Sequence, residues 1–161
     1  MLLYGAILGV LSAIFSFMLY TMDMHYQGGT FVTIVSVVLS TALYAVAMYQ
    51  FRNANSNLMS FWQGVKIGVG VAVISGIIIV LFNLLLTRVI DPETMTKAMN
   101  FQREQLIENT EMTIEQIDAQ LEIAQQFQTP AIQAAFGLLF AVIFGFLLSL
   151  IPAAILKRSE D

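Results

Sequence analysis

The sequence predicts an all-α fold: a four-helix transmembrane bundle with an extracytoplasmic helical hairpin between spans three and four. Three observations predict it. The 161 residues are 58% apolar and only 11% charged, against roughly 25% charged residues in ordinary soluble domains. Four long stretches carry no charged side chain. The acidic residues gather instead in one segment between the third and fourth stretches. Too few polar groups exist to cover a soluble exterior, so lipid must be the solvent for much of the surface. A chain of this length reads as a single membrane domain, 1–161.

The first charge-free run is Leu2 to Met22 and the second Phe31 to Phe51. The third is Ile67 to Thr87, and the fourth Ala131 to Leu156. The first three have 21 residues each and the last has 26, enough to cross about 30 Å of hydrocarbon at about 1.5 Å per residue. Backbone amides in lipid must pair within their own segment, so each run is expected to be a helix. The N-terminal run lacks a basic leader and outlasts the h-region of a signal peptide, so it is read as the first span.

The connections agree. Asp23 to Thr30, with Gly28-Gly29, is a short turn between antiparallel neighbours. Arg52 to Lys66 holds Asn53, Asn55, Ser56 and Asn57, whose side chains compete for backbone hydrogen bonds and favour turns. Tyr49, Phe51, Phe61 and Trp62 suit one interface, and Tyr20 and Tyr26 the other. Two helical hairpins packed together is the economical arrangement.

Charge sets the expected orientation. With four spans both termini share a side. Arg52, Lys66, Lys157 and Arg158 fall there, against Arg88, Lys97 and Arg103 opposite. The adjacent Lys157-Arg158 behind the last span favours cytoplasmic termini.

Arg88 to Pro130 is the only sizeable aqueous part. Asp91-Pro92-Glu93 is a helix start: Asp caps free amides, Pro suits the first position and Glu favours the positive end of the dipole. Met95, Met99 and Leu106 follow on one face. After a break at Asn109-Thr110, Thr113 and Gln116 have capping-box spacing, and Met112 and Ile117 that of a hydrophobic staple. Ile114, Ile117, Leu121 and Ala124 then form an apolar stripe, and the hairpin ends at Thr129-Pro130. The ordinary reading packs the two stripes on each other. The functional reading makes Ile114, Ile117 and Leu121 a face for a partner protein or a membrane surface, although so acidic a segment repels anionic lipid.

Small residues are the strongest pattern within the spans. Gly137, Ala141, Gly145, Ser149 and Ala153 recur every four residues, as do Gly5 and Gly9, and Gly64 and Gly68. Such ridges let backbones approach closely. They suit packing within the chain first, since four helices must bury against each other, with self-association or contact with another membrane protein as the alternative.

Groups for chemistry are scarce. Net charge is −4, which argues against nucleic acid. There is no cysteine, hence no disulfide or thiolate ligand. No ionisable residue lies in mid-span, so a proton relay is not expected. Asn83 is the most polar residue within a span, ordinarily explained by an interhelical hydrogen bond. His25, the single histidine, neighbours Asp23 and lies on the side of Asp91 and Glu93. One histidine with scattered carboxylates is a poor ligand set, and an interfacial turn is the ordinary reading. No nucleophile, Gly-rich phosphate loop or zinc motif is present. No enzyme activity, cofactor or metal is therefore expected.

Tyr4-Gly5 in the first span, Phe61-Trp62-Gln63-Gly64 with Gly68 before the third, Asp91-Pro92-Glu93 after it, and Ala154-Ile155-Leu156-Lys157-Arg158 at the end resemble an uncharacterised bacterial family. It is known as domain of unknown function number 4199. The resemblance covers nearly the whole chain. It implies a four-span protein of the bacterial inner membrane and brings no site residues.

Two functions compete. One is a non-enzymatic accessory or assembly subunit whose acidic hairpin meets a partner. The other is a small transporter or channel component for an uncharged or lipid-like solute, with Ser12, Ser16, Ser36, Ser40 and Thr41 along a path.

Overall fold

The computed structural model describes residues 1–27 and 29–158, so Gly28 of the expected first turn lies outside the described residues. Six α-helices account for most of the chain: α1 (Leu2–Thr21), α2 (Thr30–Ala54), α3 (Phe61–Leu85), α4 (Thr94–Asn109), α5 (Ile114–Gln126) and α6 (Pro130–Leu156). A π-helical turn, Leu86–Ile90, extends α3. Helices α1, α2, α3 with its extension, and α6 are long and apolar enough to cross a membrane. Their outer faces present Leu2, Val38, Leu81, Ile151 and Ile155 in the open. A surface so continuously apolar belongs in lipid.

Two span boundaries differ from the charge-free runs. Helix α3 begins at Phe61, six residues before the run, because Ser60 and Gln63 form a capping box. The Gln63 amide donates to Ser60 Oγ at 3.3 Å, and the Ser60 amide donates to Gln63 Oε1 at 2.8 Å. Lys66 thus lies in the second turn of the helix, where its exposed stem can carry the charge to the headgroups. Helix α2 continues to Ala54, past Arg52 and Asn53. The true connection is short, and Ser56 and Asn57 take left-handed backbone angles of φ 52° and 61° there.

Helix α3 is the hub, packing against α1, α2 and α6. Two separate hairpins are not what forms, because α1 packs more closely on α3 than on α2. The small residues explain this. A Cβ at Gly5 would meet Ile74 at 2.6 Å and one at Gly9 would meet Ile78 at 2.8 Å, so α1 and α3 run parallel in constant register. Along the antiparallel seam of α3 and α6, Gly64 faces Ala153, Gly68 faces Ser149, Gly145 faces Ala72, Gly76 faces Ala141 and Gly137 faces Val80. Every fourth residue of one helix meets every fourth of the other. Backbones approach wherever a side chain shrinks to hydrogen, which is how helices associate when hydrophobicity cannot tell a helix from lipid.

At one end of the bundle the chain after α6 returns to the α2–α3 connection. Met59 is fully buried and exchanges two backbone hydrogen bonds with Arg158, at 2.9 and 2.8 Å. Arg52 donates to the Leu156 carbonyl at 3.4 Å and lies over the Tyr49 ring. Arg52, Lys157 and Arg158 thereby share one end. The acidic segment leaves from the other.

Candidate functional site

The opposite end starts with the π-helical turn. Its closing bond runs from the Asp91 amide to the Leu86 carbonyl, 2.7 Å. Asp91 then organises the start of α4. Its carbonyl accepts from the Thr94 amide at 3.1 Å, and its Oδ1 accepts from the Glu93 amide at 3.1 Å. The helix itself begins at Thr94, so Asp91-Pro92-Glu93 forms the turn before α4 rather than its first residues. Lys97, one turn into α4, donates to Asp91 Oδ2 at 2.9 Å. That bond holds the Asp91 carboxyl below the usual carboxylate range and raises Lys97.

The α1–α2 connection docks onto this turn through His25. Its Nε2 lies 3.3 Å from Thr94 Oγ1, and Thr94 is buried. The ring sits edge-on to Tyr20 and Tyr26, with centroids 5.2 and 4.9 Å away, and Tyr26 reaches Phe101 of α4. The other nitrogen, Nδ1, is buried without a partner. Burial pushes the His25 pKa below its ordinary 6.5, and Lys97 adds to this, while Asp91 and Asp23 oppose it. The imidazole thus docks the loop onto α4. Sequence placed His25 beside Asp23; only the fold adds Thr94 and Lys97.

Helices α4 and α5 lie against each other, and α5 packs on no helix of the bundle. The Thr113 capping box forms as its spacing predicts, with bonds of 3.3 and 3.0 Å to and from Gln116. Ile117 and Leu121 are buried, whereas Ile114 is 59% exposed. Two of the three residues expected to form a partner face therefore turn inward, toward α4, and of these only Ile114 is left outward. Arg103 clamps the pair by bonding Asp118 through Nε at 2.7 Å and Nη2 at 3.3 Å, which holds Asp118 below the usual carboxylate range.

Charge then divides unevenly. Residues 91–129 hold eight acidic side chains and two basic ones. Both bases are engaged, Lys97 by Asp91 and Arg103 by Asp118. Glu93, Glu104, Glu108, Glu111, Glu115 and Glu122 are all exposed, and none forms an ion pair among the described residues. Around the tip of the pair, Ile107 and Ile114 project on either side of the α4–α5 turn, 45% and 59% exposed. Ile107 went unnoticed in the sequence because it lies outside the Met95–Leu106 stripe.

The remaining candidates scatter. The Ser149 hydroxyl is consumed by the Phe146 carbonyl at 2.8 Å. Ser36 faces outward and Ser12 and Ser16 are half-buried on α1, while Thr41 borders a groove against Pro152. Ser40 lines a different hollow, of about 240 Å³, with Tyr44 and Ser75. Asn83 makes no side-chain hydrogen bond among the described residues and is exposed at the rim of a hollow between α3 and α6.

A family model described as Protein of unknown function (DUF4199) matches residues 3–158. The chain belongs to that family. The match takes in all six helices and the turn at Asp91. No curated protein and no solved structure matches the chain.

Proposed function

We propose that the protein is a non-enzymatic accessory or assembly subunit of the bacterial inner membrane, and that its α4–α5 pair recruits a partner protein on the extracytoplasmic side. One observation carries the reading: a tip with two exposed isoleucines is surrounded by glutamates that no base in the pair neutralises. Apolar anchors inside a charged rim are how protein interfaces divide affinity from specificity. The complementary surface is an apolar socket edged by Lys or Arg. Anionic lipid, repelled by the same glutamates, is a poor alternative. The clasp at His25 and the turn at Asp91 set the angle at which the pair leaves the bundle.

Orientation follows from the ends of the molecule. Arg52, Lys157 and Arg158 gather at one end, which the positive-inside rule assigns to the cytoplasm, with both termini. The transport reading is the weaker, since the hydroxyls it needs lie on separate surfaces and small-residue contacts close the α3–α6 seam from Gly64 to Gly76.

The test is affinity capture from detergent extracts of the native host. Ile107→Ser with Ile114→Ser, and separately Glu104→Lys with Glu108→Lys, should each lose the same co-purifying protein, and added salt should weaken its capture from wild type. Ile117 and Leu121 are unsuitable targets because they hold the pair together. Partner sets identical among wild type and both folded variants would refute the proposal.

A further inference from the structure

Near the end of the bundle that carries α4, a hollow of about 260 Å³ opens between α3 and α6, lined among others by Val80, Asn83, Thr87, Met95, Gln133 and Gly137. Its polar groups converge from two helices. Asn83 and Thr87 stand one turn apart on α3, and Gln133 comes from the first turn of α6. Thr87 donates its hydroxyl proton to the Asn83 carbonyl at 2.8 Å, which leaves the hydroxyl oxygen free to accept. Among the described residues the only side-chain bond of Gln133 is a long one of 3.9 Å to the Met95 sulfur. The Asn83 carboxamide has none among the described residues.

These groups are out of place for a lipid-facing surface. An amide exposed to hydrocarbon without a partner is strongly disfavoured, and membrane helices normally pair such groups with one another. Here two amides and a hydroxyl from different helices face one hollow without closing on each other. Gly137 helps keep it open, since any side chain there would project toward Val80. Asn83 lies at most about 12 Å of helical rise before Asp91, within the long apolar helix Phe61–Ile90.

We infer that this hollow is a binding site for the uncharged head of a membrane amphiphile, a diacylglycerol-type head that offers one hydroxyl and ester carbonyls. The two amide nitrogens donate to the ester carbonyls, and the Thr87 oxygen accepts the hydroxyl proton. No charged side chain lines the hollow, so a phosphate-bearing head gains no counter-ion there. The volume falls below the roughly 300–1,000 Å³ typical of sites that enclose a drug-sized molecule. It takes a head only, and the acyl chains stay in the bilayer along Val80 and Gly137.

The experiment uses the full chain in phosphatidylcholine nanodiscs with trace diacylglycerol carrying a diazirine near the ester. After irradiation, label should map to the hollow and be displaced by unlabelled diacylglycerol, but not by phosphatidic acid or a quinone. Each hydrogen bond lost should weaken competition about fivefold. Thr87→Val should therefore cost about fivefold and Asn83→Leu with Gln133→Leu about 25-fold, with helicity and monodispersity checked in each. Equal competable labelling of wild type and the double variant overturns the site. Displacement by phosphatidic acid as effective as by diacylglycerol overturns the neutral-head assignment, and displacement by quinone overturns the need for a hydroxyl.

Discussion

Replacing Gly145 by Ala tests the seam on which the bundle rests. The new Cβ would overlap the Cβ of Ala72, while the next neighbour, the Val69 Cα at 3.5 Å, is in ordinary contact. One methyl against one methyl is the whole clash. Carbon atoms need about 3.5–4.0 Å, so α3 and α6 must separate locally or shift in register, and overpacking of this kind costs about 1–3 kcal/mol. So deep an overlap puts the cost in the upper half of that range, about 2–3 kcal/mol, and alanine's better helix propensity returns about 1 kcal/mol, leaving a net loss of about 1–2 kcal/mol. Ala72→Gly removes the opposing methyl. In the double variant the methyl has only changed helices, so propensity cancels and stability should return close to wild type, a coupling of about 2 kcal/mol within the range seen for touching residues. Thermal loss of helical circular dichroism in one detergent, at fixed protein concentration, reads this as a midpoint roughly 2–8 °C lower for the single variant. Light scattering on the same samples separates packing within the chain from packing between copies. A Gly145→Ala protein as stable as wild type, or one that changes only its oligomeric state, would show that α6 does not seat on α3 in this way.

Two more predictions concern the ends of the bundle. The His25 pKa is lowered by burial, so the clasped loop favours the neutral ring and its contribution is complete above 6.5. That contribution declines as pH drops below 6.5 toward the folded value, because the unfolded or undocked loop takes up the proton first. Amide protection factors at residues 22–27, corrected for the intrinsic pH dependence of exchange, should therefore fall in mild acid, and His25→Gln should flatten the response. A His25 that titrates at or above 6.5 by NMR would contradict this. The absence of cysteine permits single-thiol mapping of orientation. Thr110→Cys should react with an impermeant maleimide on intact spheroplasts, and Asn57→Cys only after permeabilisation. The reverse pattern would turn the protein over and move the acidic pair to the cytoplasm.

Local chemistry was legible wherever it depended on neighbours in sequence. The capping box at Thr113 and Gln116 forms as its spacing implies. The same spacing at Ser60 and Gln63 was present to be read, yet the charge-free criterion placed the start of α3 at Ile67. Charge marks where a side chain prefers water, whereas the cap marks where the helix begins. Asn83 stood out by polarity, but its companions Thr87 and Gln133 did not, since nothing in a linear run shows that positions fifty residues apart border one hollow. His25 was visible as the single histidine; Thr94 was an ordinary threonine until the turn at Asp91 brought it beneath the ring.

The sequence by itself determined that four helices cross a bilayer and that an acidic helical segment stands between the last two. Peptide groups in lipid have no other partners, and water holds the glutamates outside. The small-residue ridges also declared that close backbone contacts exist. Only the tertiary structure decided that α3 is the helix they converge on, that Gly145 meets Ala72 and Gly5 meets Ile74, and that Ile117 turns inward while Ile114 does not. Periodicity specifies a face but not its partner, and in lipid every apolar face is equally acceptable to the solvent. The choice falls to shape, which exists only once the helices are side by side.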